Sequence, residues 1–237
     1  MAYVALEALR NVYPNERPYV INRAGFAGIQ RFAQVWGGDN LTDWRTVKYN
    51  IATIMGMGLS GCANMGCDIG GFTGGAPDGE MFLRWIQSGV FQPRFTINSA
   101  NTDNTVTQPW MYAEHLPYVQ EAYALRYRML PYLYSLMREA SVSGIPAMRP
   151  LFLEFPDDPG CDMLDRQYML GENLLVAPVF SKAGHVDFYA PEGEWTNILD
   201  EHTVKGGGWR KEVHDFMSLP LMAREGSIIA MGARDDK

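Results

Sequence analysis

Early in the chain, extended apolar segments give way to glycine three times, each with a charged residue at the junction. Arg23 follows Pro18-Tyr19-Val20-Ile21-Asn22, Asp39 lies in Trp36-Gly37-Gly38-Asp39-Asn40, and Asp68 in Gly66-Cys67-Asp68-Ile69-Gly70-Gly71-Phe72. Helical periods separate the later segments, and alternation of strand and helix specifies parallel βα units. In a barrel of such units, ligand sites form at the C-terminal strand ends, where these charges fall. Behind a tryptophan and two glycines, the Asp39 carboxyl is expected to be partly desolvated, which favours its protonated form and suits it to donate a proton. The same five residues also fit an Asx-turn, with Asp39 or Asn40 capping the next helix.

Residues 1–10 carry a helical period stopped at Tyr13-Pro14-Asn15. Thr42 is the expected N-cap of a helix through Trp44, Val47, Ile51, Ile54 and Met55, closed by Gly56 and Gly58. A strand over 61–67 ends at Asp68, a helix covers 78–90, and Phe95-Thr96-Ile97 reads as a further strand. A long helix over 115–143 puts Tyr118, Ala122, Leu125, Met129, Tyr132, Leu133 and Leu136 on one face, with Arg126, Arg128 and Arg138 toward water and a kink at Pro131. Residues 148–155 read as a last barrel strand. Beyond the turn cluster 156–160 come short runs between glycines and prolines (173–177, 185–189, 195–199 and 227–230), the texture of an antiparallel sandwich. The expected fold class is α/β: the second half of a (β/α)8 barrel over 1–160, then a small antiparallel β-sandwich domain over 161–237.

A net charge of -7, with 20 scattered basic residues, excludes the basic stripe of a nucleic-acid surface. No apolar run reaches the roughly 18 residues needed to span a bilayer, so no membrane partner is expected. The chain starts without the charged and apolar regions of a secretory leader, and localisation stays open. Three cysteines at Cys62, Cys67 and Cys161 and four dispersed histidines form neither a disulfide framework nor a ligand spacing, so neither metal nor cofactor is expected.

Taken in order, Arg23-Ala24-Gly25-Phe26-Ala27-Gly28, the Trp36 and Gly66 segments, Arg84-Trp85-Ile86-Gln87-Ser88-Gly89-Val90-Phe91-Gln92-Pro93, Leu125-Arg126-Tyr127-Arg128-Met129-Leu130-Pro131-Tyr132-Leu133-Tyr134, Arg149-Pro150-Leu151-Phe152-Leu153-Glu154-Phe155 and Gly171-Glu172-Asn173-Leu174-Leu175-Val176-Ala177-Pro178 resemble glycoside hydrolase family 31, the α-glucosidase and α-xylosidase family. The resemblance implies the barrel-plus-β-domain division given above and a retaining glycosidase, in which two carboxyls act through a covalent glycosyl intermediate. Asp39 matches the family's acid/base aspartate and Asp68 its substrate-holding aspartate. Arg23 matches a donor to sugar hydroxyls, although a structural ion pair also fits it. Trp36 and Phe72 fit either walls of the sugar subsite or ordinary core. Asn98 stands where the family carries a substrate-binding histidine, which opens the sugar preference. The nucleophile belongs to a Trp-x-Asp-x-x-Glu stretch that the resemblance places upstream. The expectation is therefore a fragment whose partner is the missing N-terminal half of the same polypeptide, inactive alone, with an oligosaccharide or α-glycoside as substrate. An α-transglycosylase of the same family, a non-catalytic sugar-binding module and a metal-dependent barrel hydrolase are the competing readings, the last weakened by the absence of clustered ligands.

Overall fold

A computed structural model describes residues 1–233 of the chain; the last four residues of the expected β domain lie outside the described residues. The first part alternates helices with very short parallel strands: α1 (Ala2–Val12), β1 (Ile21–Asn22), β2 (Gln34–Val35), α2 (Trp44–Leu59), β3 (Asp68–Ile69), α3 (Gly79–Gly89), β4 (Thr96–Ile97) and α4 (Leu116–Ser143). β1 pairs in parallel with β2, and β3 with β4.

Several local expectations are corrected. The N-cap of α2 is Asp43, whose Oδ1 accepts the Thr46 N–H at 2.6 Å. Thr42 instead donates its hydroxyl to the Thr73 carbonyl at 3.1 Å. Neither Gly56 nor Gly58 ends α2, which runs to Leu59. Gly58 is there for space: a Cβ would meet the Pro146 Cβ at 2.9 Å, so the glycine lets the 146–148 segment pack against the helix. The segment 61–67 is not a strand. Met65 and Gly66 still bond to both neighbours, through Arg94 N–H to the Met65 carbonyl (3.3 Å) and Gly37 N–H to the Gly66 carbonyl (3.0 Å), but Arg94 backbone fills the site of a Gly66 side chain and only Asp68–Ile69 form a regular ladder.

Asp78 caps α3 as its side chain accepts the Met81 N–H at 2.8 Å. Helix α4 is assigned continuously through Pro131 and ends on Gly144 in the left-handed conformation at φ 81°. Of its arginines, Arg138 is exposed as expected, but Arg128 is half-buried with its Nε covered and Arg126 is not turned to water. The Arg126 guanidinium donates to the carbonyls of Val90 (2.8 Å), Gln92 (2.6 Å) and Pro93 (3.1 Å), clamping the turn between α3 and β4. Those carbonyls belong to the C-cap of α3 and the turn after it, and a planar fork of donors satisfies them together.

The remaining strands are antiparallel: β5 (Met148–Arg149), β6 (Tyr168–Leu170), β7 (Leu174–Val176), β8 (His185–Ala190), β9 (Glu194–Asn197), β10 (Thr203–Lys205), β11 (Gly208–Val213) and β12 (Leu221–Arg224). They form a six-stranded sheet in the order β10-β9-β12-β7-β6-β5 and a two-stranded ribbon of β11 and β8. Residues 148–155 are therefore no parallel barrel strand: Met148 and Arg149 pair antiparallel with Leu170 and Met169, and Leu151–Leu153 form a 3-10 turn. Residues 227–230 form no strand either. One apolar core runs through both parts, from Ile51, Phe82 and Trp85 to Leu175, Phe188 and Trp195. Arg84 crosses the same seam from α3, donating to the carbonyls of His214 (2.7 Å) and Asp215 (2.8 Å).

Candidate active site

Every candidate residue but Asp68, which opens β3, sits just beyond the C-terminal end of a parallel strand. Arg23 follows β1, Trp36 and Asp39 follow β2, Asp68 and Phe72 lie on and after β3, and Asn98 follows β4. The strands are short, so the loops that follow them are held by cross-links rather than by ladder. Asn40 is the main one. Its Nδ2 donates to the Asp68 carbonyl at 3.0 Å, its Oδ1 accepts the Phe72 N–H at 3.0 Å, and its own carbonyl accepts the N–H groups of Phe72 (2.8 Å) and Thr73 (3.0 Å). The Phe72 carbonyl in turn accepts the Ala100 N–H at 2.7 Å, joining the loop beyond Asn98 to the other two. The Asx-turn alternative for Asp39 and Asn40 as helix caps gives way to this arrangement, with Asp43 as the cap.

The side chains fall into two groups. In the outer group the Asp39 Oδ2 accepts from Arg23 Nη1 at 2.6 Å, and the two side chains are 45% and 59% exposed. Asp39 is thus more open to water than its sequence setting suggests: Gly37 and Gly38 offer no side chain to cover it, and the Trp36 ring is engaged elsewhere.

In the inner group Asp68 has no exposed surface and pairs with Arg94, Nη1 to Oδ1 at 3.3 Å, Arg94 being 8% exposed. The Arg94 guanidinium lies 5.4 Å from the centroid of the Trp36 ring. Burial pushes the Asp68 carboxyl up from its ordinary range, opposed by the charge of Arg94 and then by the nearby Asn98 side chain and Trp36 N–H. Even so, Asp68 Oδ2 and Trp36 Nε1 are buried without a well-formed hydrogen bond in the protein. Trp36 and Phe72 are half-buried and Asn98 is exposed, and with Asp68 fully buried a ligand group reaches its carboxylate only if covering side chains move. Cys67, next in the chain, is buried and its thiol is pushed up to about 12 by burial and then by the charge of Asp68, which makes it inert.

Arg94 escapes the sequence reading, and its only signal there is its place between the Gln92-Pro93 turn and the Phe95-Thr96-Ile97 run. Among the described residues no three His, Cys, Asp or Glu side chains gather as metal ligands would.

Residues 1–136 match the glycosyl hydrolases family 31 TIM-barrel domain, and residues 144–229 the glycosyl hydrolase family 31 C-terminal domain. An alpha-glucosidase 2 of Bacillus thermoamyloliquefaciens is 36% identical over 98% of this chain and 30% of its own length. An alpha-glucosidase of Saccharolobus solfataricus is 37% identical over 97% of the chain and 33% of its own length. Among solved structures, a Flavobacterium johnsoniae GH31 dextranase complexed with glucose superposes with a TM-score of 0.89 at 34% identity, over 96% of this chain and 29% of that one. A cycloalternan-forming enzyme from Listeria monocytogenes superposes at 0.88 with 28% identity, over 95% of this chain and 22% of that one. The chain belongs to glycosyl hydrolase family 31, and it spans about a third or less of the length of these relatives.

Proposed function

We propose that, within this family, the chain supplies the acid/base residue and part of the sugar pocket of a retaining enzyme that cleaves terminal α-linked sugars. The observation that carries the reading is the Arg23–Asp39 pair at 2.6 Å, both side chains open to water, in a loop that Asn40 ties to the loop of the buried Asp68 pair on the strand-end face where barrel enzymes build their sites. Asp39 protonates the departing glycosidic oxygen, then takes a proton from the water that resolves the covalent intermediate. Arg23 holds the Asp39 carboxylate oxygen and offers its remaining N–H groups to sugar hydroxyls. Trp36 and Phe72 give half-exposed aromatic surface against which the C–H face of a sugar packs. Asn98 forms the rim, and Asp68 accepts a sugar hydroxyl once the side chains above it shift.

The nucleophile comes from outside these residues. No Trp-x-Asp-x-x-Glu stretch occurs among the 237, and the relatives are about three times as long. Hydrolysis therefore needs the longer polypeptide. The test is a panel of nitrophenyl α-glycosides, covering glucose, xylose and galactose, on that polypeptide and its Asp39→Asn variant. Turnover of at least one, lost in the variant, supports the reading; undiminished turnover in the variant ends it.

A second fate of the intermediate, transfer to another sugar, is favoured by the likeness to the cycloalternan-forming enzyme. Product analysis at rising acceptor concentration separates transfer from hydrolysis.

A further inference from the structure

We propose that Arg94 is a positioning residue for sugar recognition, locking the Trp36 ring and the Asp68 carboxylate into one unit beneath the sugar-binding surface. The proposal rests on the glycosidase reading above and names a residue that reading does not use.

Arg94 touches two different groups at once. Its Nη1 donates to Asp68 Oδ1, and its guanidinium carbon lies over the Trp36 ring, 5.4 Å from the centroid. A planar, delocalised cation can do both, whereas an ammonium can only point its charge at one. The backbone fixes where that cation stands: the Arg94 N–H donates to the Met65 carbonyl at 3.3 Å, and Gly66 leaves the space Arg94 occupies. The Arg126 fork holds the turn immediately before it, at Val90, Gln92 and Pro93.

Three polar atoms of this unit are left over, Asp68 Oδ2, Trp36 Nε1 and Arg94 Nε, and the first two carry the consequence for recognition. Asp68 Oδ2 only accepts, Trp36 Nε1–H only donates, and both are buried without a well-formed partner. A sugar hydroxyl donates and accepts, so one neutral hydroxyl entering between them answers both, which a simple cation or anion does not. By taking Asp68 Oδ1, Arg94 leaves Oδ2 for that hydroxyl. By covering one side of the Trp36 ring, it leaves the other to the sugar.

The test uses the full-length enzyme with R94M and R94K, each in wild-type and Trp36→Leu backgrounds, and an aryl α-glycoside as substrate. R94M is expected to raise KM about tenfold while kcat changes less, since ground-state and transition-state binding weaken together. R94K, keeping charge without the plane, recovers only part of this and serves as the readout if R94M does not fold. In the Trp36→Leu background the further change is expected to fall to about twofold or less, because residues acting as one unit are not additive. An unchanged KM in folded R94K or R94M, or the same factor in both backgrounds, overturns the proposal. Should the wild-type enzyme turn over no α-glycoside, the glycosidase reading fails separately. Arg94 is then judged by glucose titration followed through tryptophan fluorescence, where an equal response in wild type and R94K refutes the role and a weakened one supports it.

Discussion

The Asn40 side chain spans the gap between two strand-end loops, donating from Nδ2 to the backbone carbonyl of Asp68 at 3.0 Å. With Oδ1 it also accepts the Phe72 N–H, so a single amide ties the Asp39 loop to the Asp68 loop in both directions. Asn40→Ala leaves that carbonyl without its side-chain donor, at a cost of about 1–3 kcal/mol. Denaturant unfolding of the longer enzyme should show a loss in that range. Activity should fall through both kcat and KM, because two loops lose their registration together. An unchanged midpoint would show that the remaining backbone bonds hold the loops unaided.

Arg126→Met removes a half-buried cation that satisfies three backbone carbonyls, its own pKa pressed down to about 10 by desolvation. Methionine fills much of the volume but donates nothing, so the carbonyls of Val90, Gln92 and Pro93 lose their partner. The expected loss is about 3 kcal/mol in unfolding free energy. A loss below about 1 kcal/mol, within the range of a single ordinary hydrogen bond, would show that water replaces the fork without penalty.

Alkaline pH should weaken the fold in a defined window. Burial raises the thiols of Cys67 and Cys161 from 9.0 to about 12 and the phenols of Tyr112 and Tyr132 from 10.0 to about 12. In each case the folded-state value lies above the unfolded one. The contribution to stability is therefore complete below about pH 9 for the thiols and about pH 10 for the phenols, and is lost as pH rises through about 12. Thermal unfolding between pH 8 and 12 should show a falling midpoint, shallower in Cys67→Ala. Below pH 8 a thiol reagent should leave the buried cysteines unreacted until the protein is denatured, and rapid native labelling of Cys67 would contradict its burial.

Much of this was legible in the residues. The four helices announce themselves by period, and the charges at positions 23 and 39 follow strands because apolar runs stop there at glycine, whereas Asp68 opens β3 instead of closing a strand. What the residues hide is contact between distant segments. Met148 and Arg149 look like one more parallel strand, since an apolar run carries no record of its partner, yet they pair antiparallel with β6. Arg126 lies on a helix face that reads as solvent-facing, and only the carbonyls brought to it by the turn at 90–93 make it a clamp. Arg94 is invisible for the same reason, since its meaning comes from Trp36 and Asp68. Asp39 follows a tryptophan that looks like its cover, but the side chain is 45% exposed and the indole lies under Arg94.

The most direct measurement compares leaving groups on the longer enzyme carrying Asp39→Ala. If Asp39 delivers the proton to the departing oxygen, hydrolysis of an α-glycoside with a poor, basic leaving group should drop by about 10²–10⁴. A dinitrophenyl glycoside, whose leaving group departs without protonation, should still form the glycosyl intermediate at close to the wild-type rate. Equal losses for both substrates, or no loss for either, would contradict the assignment of Asp39 as the acid.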